Sequence, residues 1–367
     1  MRNYSFILRR IFCLFIILGQ LVTLAGCLKT LPSEDQGEIK IVPISKQYFD
    51  FFDTVSIIIS YAGDSEESIN ENCDMVVALM REYHKLFDIY HTYSGINNLA
   101  TLNANAGGEP LIVDQKLIDF LLYTKEIYTL TNGETNVMLG SVLKLWHDAR
   151  SFATDNPSLA KLPDAHELKE ASLHTNINLL EIDDENNTVR ISDPNARIDV
   201  GALGKGYATE KAANLLEDKN VTSYVLNIGG NIRIIGNKPD GTDWVTGIKN
   251  PFYGSSAEEM NQYAFYTRLS DTSCVTSGDY ERYFKVDGVK YHHIIDQDTL
   301  LPAEYFSSVT VITKNSGLAD ALSTALFCMP YESGLTLVNS IGDVDVLWIA
   351  KDGTQYRTDS LIPTEYK

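Results

Sequence analysis

The chain has 367 residues, 44% of them hydrophobic and 22% charged, the balance of a globular protein with enough sequence for one large domain or two ordinary ones. Lysines and arginines number 30 against 49 aspartates and glutamates, a formal charge of −19, so no basic face for nucleic acid is expected. A phosphate-bearing ligand would need local positive help from a metal, a lysine or backbone N–H groups.

Arg2, Arg9 and Arg10 precede the apolar run "IFCLFIILGQLVTL", and "LAGC" closes it at Cys27. The run is short for a membrane-spanning helix and has the layout of a secretory signal over residues 1–26. "LAGC" resembles the lipobox of bacterial lipoproteins. That implies cleavage before Cys27, lipid on its sulfur, and anchoring on the extracytoplasmic face of the cell membrane. An ordinary signal with a chance cysteine is the alternative. Residues 1–26 carry three arginines and no carboxylate, so their removal takes the charge to near −22. Residues 27–47 read as a tether and 48–367 as one catalytic-sized domain. Cys73, Cys274 and Cys328 then remain without metal-type spacing; no disulfide framework is implied, and Cys73 and Cys328 read as core residues.

"YFDFFDTVSIIISYAG" (48–63) reads as a strand, and "EESINENCDMVVALMREYHKLFDIY" (66–90) as a helix with Met75, Val76, Leu79, Met80, Tyr83 and Leu86 at helical spacing. A polar loop leads to a second helix, capped by Asp114 and stopped near Gly133. Residues 153–166 read as an exposed insertion with a short helix after it, and "NLLEIDDENNTVRIS" as a hairpin. Next come strand "SYVLNIGG", hairpin "NIRIIGNKPDGTDWVTGIKNP", β segments to "SVTVIT", helix "GLADALSTALFCM", a helix at 331–340 and strand "DVDVLWIA". Helices and hairpins alternate without a β-α-β rhythm. The expected class is α+β with mostly antiparallel sheet.

Five places could carry chemistry. "RIDVGALGKGYATEKAANLL" (197–216) passes from a β-type run through Gly201, Gly204 and Gly206 into a helical pattern. Its glycine order is neither a dinucleotide fingerprint nor a P-loop, and a tight turn into a helix competes with a ligand site. Asp320 and Thr324 project from one face of a helix that is otherwise apolar or small. They suit a hard cation with phosphate ligands, or Asp320 simply serves the helix N-terminus. "TSGDYERYF" (276–284) turns sharply at Gly278 and Asp279. In "YHHIIDQDTLLP" only one of His292 and His293 can face a given site, where it could act as general base. "LNIGGN" ends a strand in two glycines, where a ligand or another backbone could approach.

Taken in order, "DTVSIIISY", "GINNLATLN", "GETNVMLGSVLKLW", "IDVGALGKGYATEKAANLL", "VLNIGGNIRIIG", "TSGDYERYF", "HHIIDQDTLLP" and "ADALSTALF" resemble the ApbE family of FAD:protein FMN transferases, over about residues 48 to 350. The resemblance implies a T-fold-like α+β domain, with mostly antiparallel sheets packed with helices, that binds FAD with Mg²⁺. The reaction it implies moves FMN from FAD to a threonine or serine of an acceptor flavoprotein subunit and releases AMP. By motif match it places metal ligands on Asp320, Thr324 and the main-chain carbonyl of Ala202, with Gly201 and Gly204 turning that carbonyl toward the ion. It places FAD contacts on Tyr90 (or Tyr93), Glu134, Thr135, Asn136, Asp199, Lys205 and His293, with His293 also catalytic. "GETN" departs from the family's "GAFD" at Asn136, and "HIIDQDTLLP" lacks a proline and a glycine of the usual pattern. Hydrolysis of FAD to FMN and AMP, or flavin binding without catalysis, are the competing readings. No acceptor-like string for self-flavinylation occurs in the chain.

Overall fold

The computed structural model describes residues 43–365 except 62, 64 and 255–260; the signal segment, Cys27 and most of the tether lie outside the described residues. β1 (Ile44–Tyr48) and β2 (Ser56–Ser60) form an antiparallel hairpin where the sequence reads as tether followed by a single strand. Left-handed backbone at Phe52 and Asp53 (φ 55° and 48°) turns the chain between them. The ordered domain therefore includes Ile44–Tyr48, earlier than residue 48.

α1 (Glu66–Phe87) starts at Ser65, whose Oγ accepts the Ser68 N–H. α2 (Leu99–Ala104) is a short helix inside the expected polar loop, with Asn98 as its cap. β3 (Leu111–Ile112) precedes α3 (Gln115–Leu130), which Asp114 caps as its sequence suggests. α4 (Gly140–Asp155) runs into the expected insertion, and α5 (Ala165–Ser172) follows. β4 (Leu180–Asp183) and β5 (Thr188–Ile191) make the expected hairpin. Then come α6 (Gly204–Glu217), β6 (Tyr224–Ile228), β7 (Asn231–Ile235), β8 (Trp244–Lys249), β9 (Tyr263–Leu269) and β10 (Ser273–Gly278). The chain ends with β11 (Tyr283–Val286), β12 (Val289–His292), β13 (Phe306–Thr313), α7 (Ser316–Phe327), α8 (Tyr331–Ile341), β14 (Asp345–Ala350) and β15 (Gln355–Arg357).

The main sheet has the order β1-β2-β6-β7-β10-β13-β14-β15, antiparallel at every junction. β7 and β8 do not form the hairpin read from the sequence: β7 sits between β6 and β10, and β8 pairs with β9. Both faces of the sheet are covered, which the side-chain alternation of β14 makes plain. Val346 and Trp348 pack with Leu322, Leu326 and Phe327 of α7, while Leu347 and Ile349 pack with Trp244, Ile248, Phe265 and Leu269 of β8 and β9. α7 is apolar on nearly all sides because it wedges between two parts of the core. Its Ala321 joins the cluster of α1, α3 and α6, whereas Ala319, Leu322 and Ala325 join that of β13 and β14. A carboxylate on such a helix must find partners inside the protein.

Candidate active site

Asp320 is buried one turn into α7. It does not cap its own helix. Asn315 does, accepting the Leu318 N–H at 2.9 Å. Asp320 Oδ2 instead accepts the amide of Gly206, in the first turn of α6, at 2.8 Å, and Lys205 Nζ stands 3.6 Å from the same oxygen. The carboxylate thus serves a helix start, but that of the neighbouring helix. In an uninterrupted helix the Gly206 N–H would bond the carbonyl four residues back, that of Ala202. It donates to Asp320, and the Ala202 carbonyl is spared that role. Thr324 follows one turn after Asp320, its Oγ1 3.4 Å from Ser277 Oγ of β10. Ser277 Oγ lies 2.7 Å from Ser323 Oγ, and Ser323 donates to the Asp320 carbonyl at 2.9 Å. One carboxylate with hydroxyl and carbonyl oxygens is a hard-cation donor set.

Of the glycines in the 201–206 stretch, Gly206 is the one the packing requires. A Cβ there would lie 2.4 Å from both Asp320 Cβ and the Ser316 carbonyl. Gly201 and Gly204 lie in the turn that closes on the Val200 carbonyl, which accepts the Leu203 and Gly204 amides. Neither has a positive φ; Gly201 donates its amide to Asp199 Oδ1 at 2.9 Å, and Gly204 packs on Val200 and Phe87.

A second group of side chains meets at Asp199. Its Oδ2 is 3.8 Å from His147 Nδ1 of α4, and that nitrogen is 3.1 Å from the Tyr90 hydroxyl. Tyr90 is 63% exposed, whereas Tyr93 is less so and donates its hydroxyl to Asp88 Oδ2 at 2.8 Å. Burial lowers the pKa of His147, with Arg150 and Arg282 adding to that and Asp199 opposing it.

The two adjacent histidines have separate roles. His292 is buried, Nε2 donating to the Ala303 carbonyl at 2.9 Å and Nδ1 accepting the Ile294 N–H at 3.3 Å, with the ring edge-on to Phe327. Both nitrogens are used, so His292 is a structural residue. His293 is less buried, and its Nδ1 lies 3.2 Å from the Arg282 carbonyl. A carbonyl can only accept, so Nδ1 carries the proton and Nε2 keeps its lone pair. Burial pushes the His293 pKa down to about 3, reinforced by Arg282, Arg150 and His292. The ring is therefore neutral throughout the physiological range. Asp279, the alternative base in the "SGDY" turn, is buried between Lys290 (2.9 Å) and Lys351 (2.7 Å). Those ammonium groups hold its pKa down against the effect of burial, and between them they occupy both of its oxygens.

The 134–136 turn touches the same helix. Thr135 Oγ1 donates to the Ala321 carbonyl at 3.0 Å. Asn136 donates to the Thr175 carbonyl at 2.9 Å and accepts the Met138 N–H at 2.9 Å. Burial, then Asp298 and Asp296, push the Glu134 pKa up to about 7. The side chains of Thr135 and Asn136 are thus committed to the protein, as are the amides of Glu134 and Thr135, which donate to the Thr131 carbonyl and hydroxyl. A cleft of about 730 Å³ lined by Lys125, Tyr128, Asn136, Asn176 and Asp298 reaches Asn136 but neither Asp320 nor His293, so it is not the centre of the chemistry.

The family model of the ApbE family matches residues 53–348, most of the chain. The chain belongs to the ApbE family. An FAD:protein FMN transferase of Treponema pallidum is 34% identical over 265 residues, covering 69% of this chain and 71% of that protein. One of Vibrio cholerae is 31% identical, covering 75% and 80%. The crystal structure of an ApbE protein of Thermotoga maritima superposes with a TM-score of 0.74 at 28% identity, covering 87% of this chain and 98% of that one. The ApbE structures also fit the observed mixture of helices and antiparallel sheets.

Reading this ApbE chain as sequence alone missed His147 and Arg150, which α4 carries three residues apart and therefore on one face. Nothing in "LWHDARS" marks them out. They gain meaning only where α4 meets Asp199 and the Arg282–His293 segment. Nothing in the linear sequence marks Glu210 either, whose Oε2 accepts the Ser316 amide at 2.7 Å.

Proposed function

We propose that this chain transfers FMN from FAD to a threonine or serine hydroxyl of an acceptor protein and releases AMP. The carrying observation is the buried Asp320 carboxylate at the first turn of α6; with the Thr324 hydroxyl and the Ala202 carbonyl, which the family resemblance assigns, it would make a set of oxygen donors. That set fits Mg²⁺, which takes few carboxylates and completes its shell with phosphate and water. Asp320, Thr324 and Ala202 would hold the ion, which when bound neutralises phosphate charge as the P–O bonds change. Lys205, already 3.6 Å from Asp320, would add a positive charge for the pyrophosphate in a protein of formal charge −19. Tyr90, Asp199 and the 134–136 turn would orient FAD. His293 Nε2 accepts the proton of the acceptor hydroxyl while its oxygen bonds to the FMN-side phosphorus. The bond from that phosphorus to the AMP-side oxygen breaks, and AMP leaves.

Incubation with FAD, Mg²⁺ and an acceptor domain should give protein-bound FMN and AMP in equal amounts. Free FMN as the main product would instead make the enzyme an FAD hydrolase, and unchanged FAD would leave a flavin-binding protein.

The proposal extends to location: "LAGC" places the mature enzyme on the outer face of the cell membrane, held by lipid on Cys27. Cys27→Ser is expected to move the protein to the soluble fraction or stall it with its signal attached. Full membrane retention of the processed Ser variant would overturn the anchor.

A further inference from the structure

α6 and α7 satisfy each other's starts. Asp320 of α7 accepts the Gly206 amide of α6 at 2.8 Å, and Glu210 of α6 accepts the Ser316 amide of α7 at 2.7 Å. The two bonds link Gly206–Glu210 to Ser316–Asp320, one turn of each helix. No side chain separates them, since a Cβ at Gly206 would collide with the Ser316 carbonyl and one at Gly317 would crowd Tyr207 Cα. Either bond alone would leave the helices free to slide about it; the pair fixes both their separation and their register.

Glu210 is itself held. Its Oε2 lies 3.4 Å from Nε of Arg233, a fully buried arginine of β7 that also pairs with Glu217 at 2.7 Å and Asp271 at 3.4 Å. An uncompensated guanidinium in that position would be costly, so Glu210, Glu217 and Asp271 together keep Arg233 buried. Arg233 in turn fixes the carboxylate that anchors α7.

We infer that Glu210 is a positioning residue of the metal site: by gripping the Ser316 amide it sets the place of Asp320 against the start of α6. The inference rests on the Mg²⁺ reading given above for its functional consequence, but not for its structural one. The Glu210 carboxylate is engaged by the Ser316 amide and Arg233. It acts through Ser316 and the register of α7. Glu217 shares Arg233 but meets its Nη2 rather than its Nε, about two turns along α6, and serves as the control.

The test uses the full chain with isotope-labelled glycine and follows hydrogen exchange of the Gly206 amide without metal. In Glu210→Ala that exchange should quicken, because the Asp320 acceptor is no longer held in place, whereas Glu217→Ala should leave it as in the parent. Glu210→Gln retains a carbonyl for Ser316 and should restore most of the protection. In transfer assays Glu210→Ala should need roughly 10–100-fold more Mg²⁺ for half-maximal rate, the usual cost of losing an outer-shell partner. Its rate at saturating Mg²⁺ should approach that of the parent. Unchanged Gly206 exchange in Glu210→Ala, or equal quickening in Glu217→Ala, overturns the positioning role. A parent enzyme indifferent to Mg²⁺ would overturn the metal assignment instead, and the exchange result would then judge Glu210 by itself.

Discussion

Asp320→Ala is expected to abolish FMN transfer while the chain stays folded. The substitution removes the one carboxylate on the α6-facing side of α7, and with it the acceptor of the Gly206 amide. Two losses follow. A hard cation would keep only neutral oxygens, and Lys205 would lose its nearest anion on that helix. Folding should suffer less than catalysis, because Gly206 can then turn its N–H back toward the Ala202 carbonyl and continue the helix. The stranded amide costs about 1–3 kcal/mol if it does not. Thr324→Ala should be milder, since water replaces a neutral hydroxyl ligand and Ser277 keeps its bond to Ser323. The comparison is made by titrating Mg²⁺ against transfer rate for both variants. Asp320→Ala with near-parental, Mg²⁺-dependent turnover would place the ion elsewhere.

His293→Ala should lower turnover by about 10²–10⁴-fold, the range a positioned general base contributes, with FAD still bound. The neighbouring His292→Ala should instead destabilise the protein. It strands the Ala303 carbonyl and the Ile294 amide and opens space beside Phe327. The informative contrast is therefore activity loss without a shift in denaturation midpoint for His293, and the reverse for His292. The pH dependence also changes from that of an ordinary imidazole. With its folded pKa pushed down to about 3, His293 remains a competent neutral base well below pH 6.5. The acid limb of kcat/KM should thus not fall at the usual imidazole value. Stability has its own sign. His292 and His293 have depressed folded pKa values of about 4 and about 3, so the unfolded chain takes up protons first as pH drops below about 6.5. Their contribution to stability is complete above that pH and is lost progressively toward pH 3–4. An acid limb at 6.5 that disappears in His293→Ala would mean that the ring keeps an ordinary pKa in the free enzyme.

Much of this was written in local patterns. Apolar spacing marks α1, α3 and α7, the cap Asp114 is a side chain that bonds its own helix's backbone, and β4–β5 pair across a short polar turn. These depend on residues within a few positions of one another, so a linear reading reaches them. The eight-motif order carried the family for a related reason: each string is a short segment whose own geometry depends on its own residues. Asp320 stood out because a carboxylate on an apolar helix needs a partner, and elementary cost demands one even when its identity is hidden.

The partner itself was decided in three dimensions. Asp320 and Gly206 are 114 residues apart, and Glu210 and Ser316 are 106. No periodicity links such positions; only the wedging of α7 against α6 in the core does. The same holds for the hairpin read across β7 and β8, whose alternation permits pairing with any neighbour and whose true partners are β6, β10 and β9. It holds again for His292 and His293. The residues are adjacent in the chain and alike in chemistry, but one ring is closed by Ala303 and Ile294 while the other keeps a free nitrogen because it lies against a carbonyl of Arg282. The sequence by itself determined which residue types could do chemistry and which segments would be helix or strand, since both follow from side-chain nature and short-range geometry. Which of them act together was left to long-range packing, because burial, hydrogen-bond partners and proton affinity are properties of what surrounds a side chain and not of the residue alone.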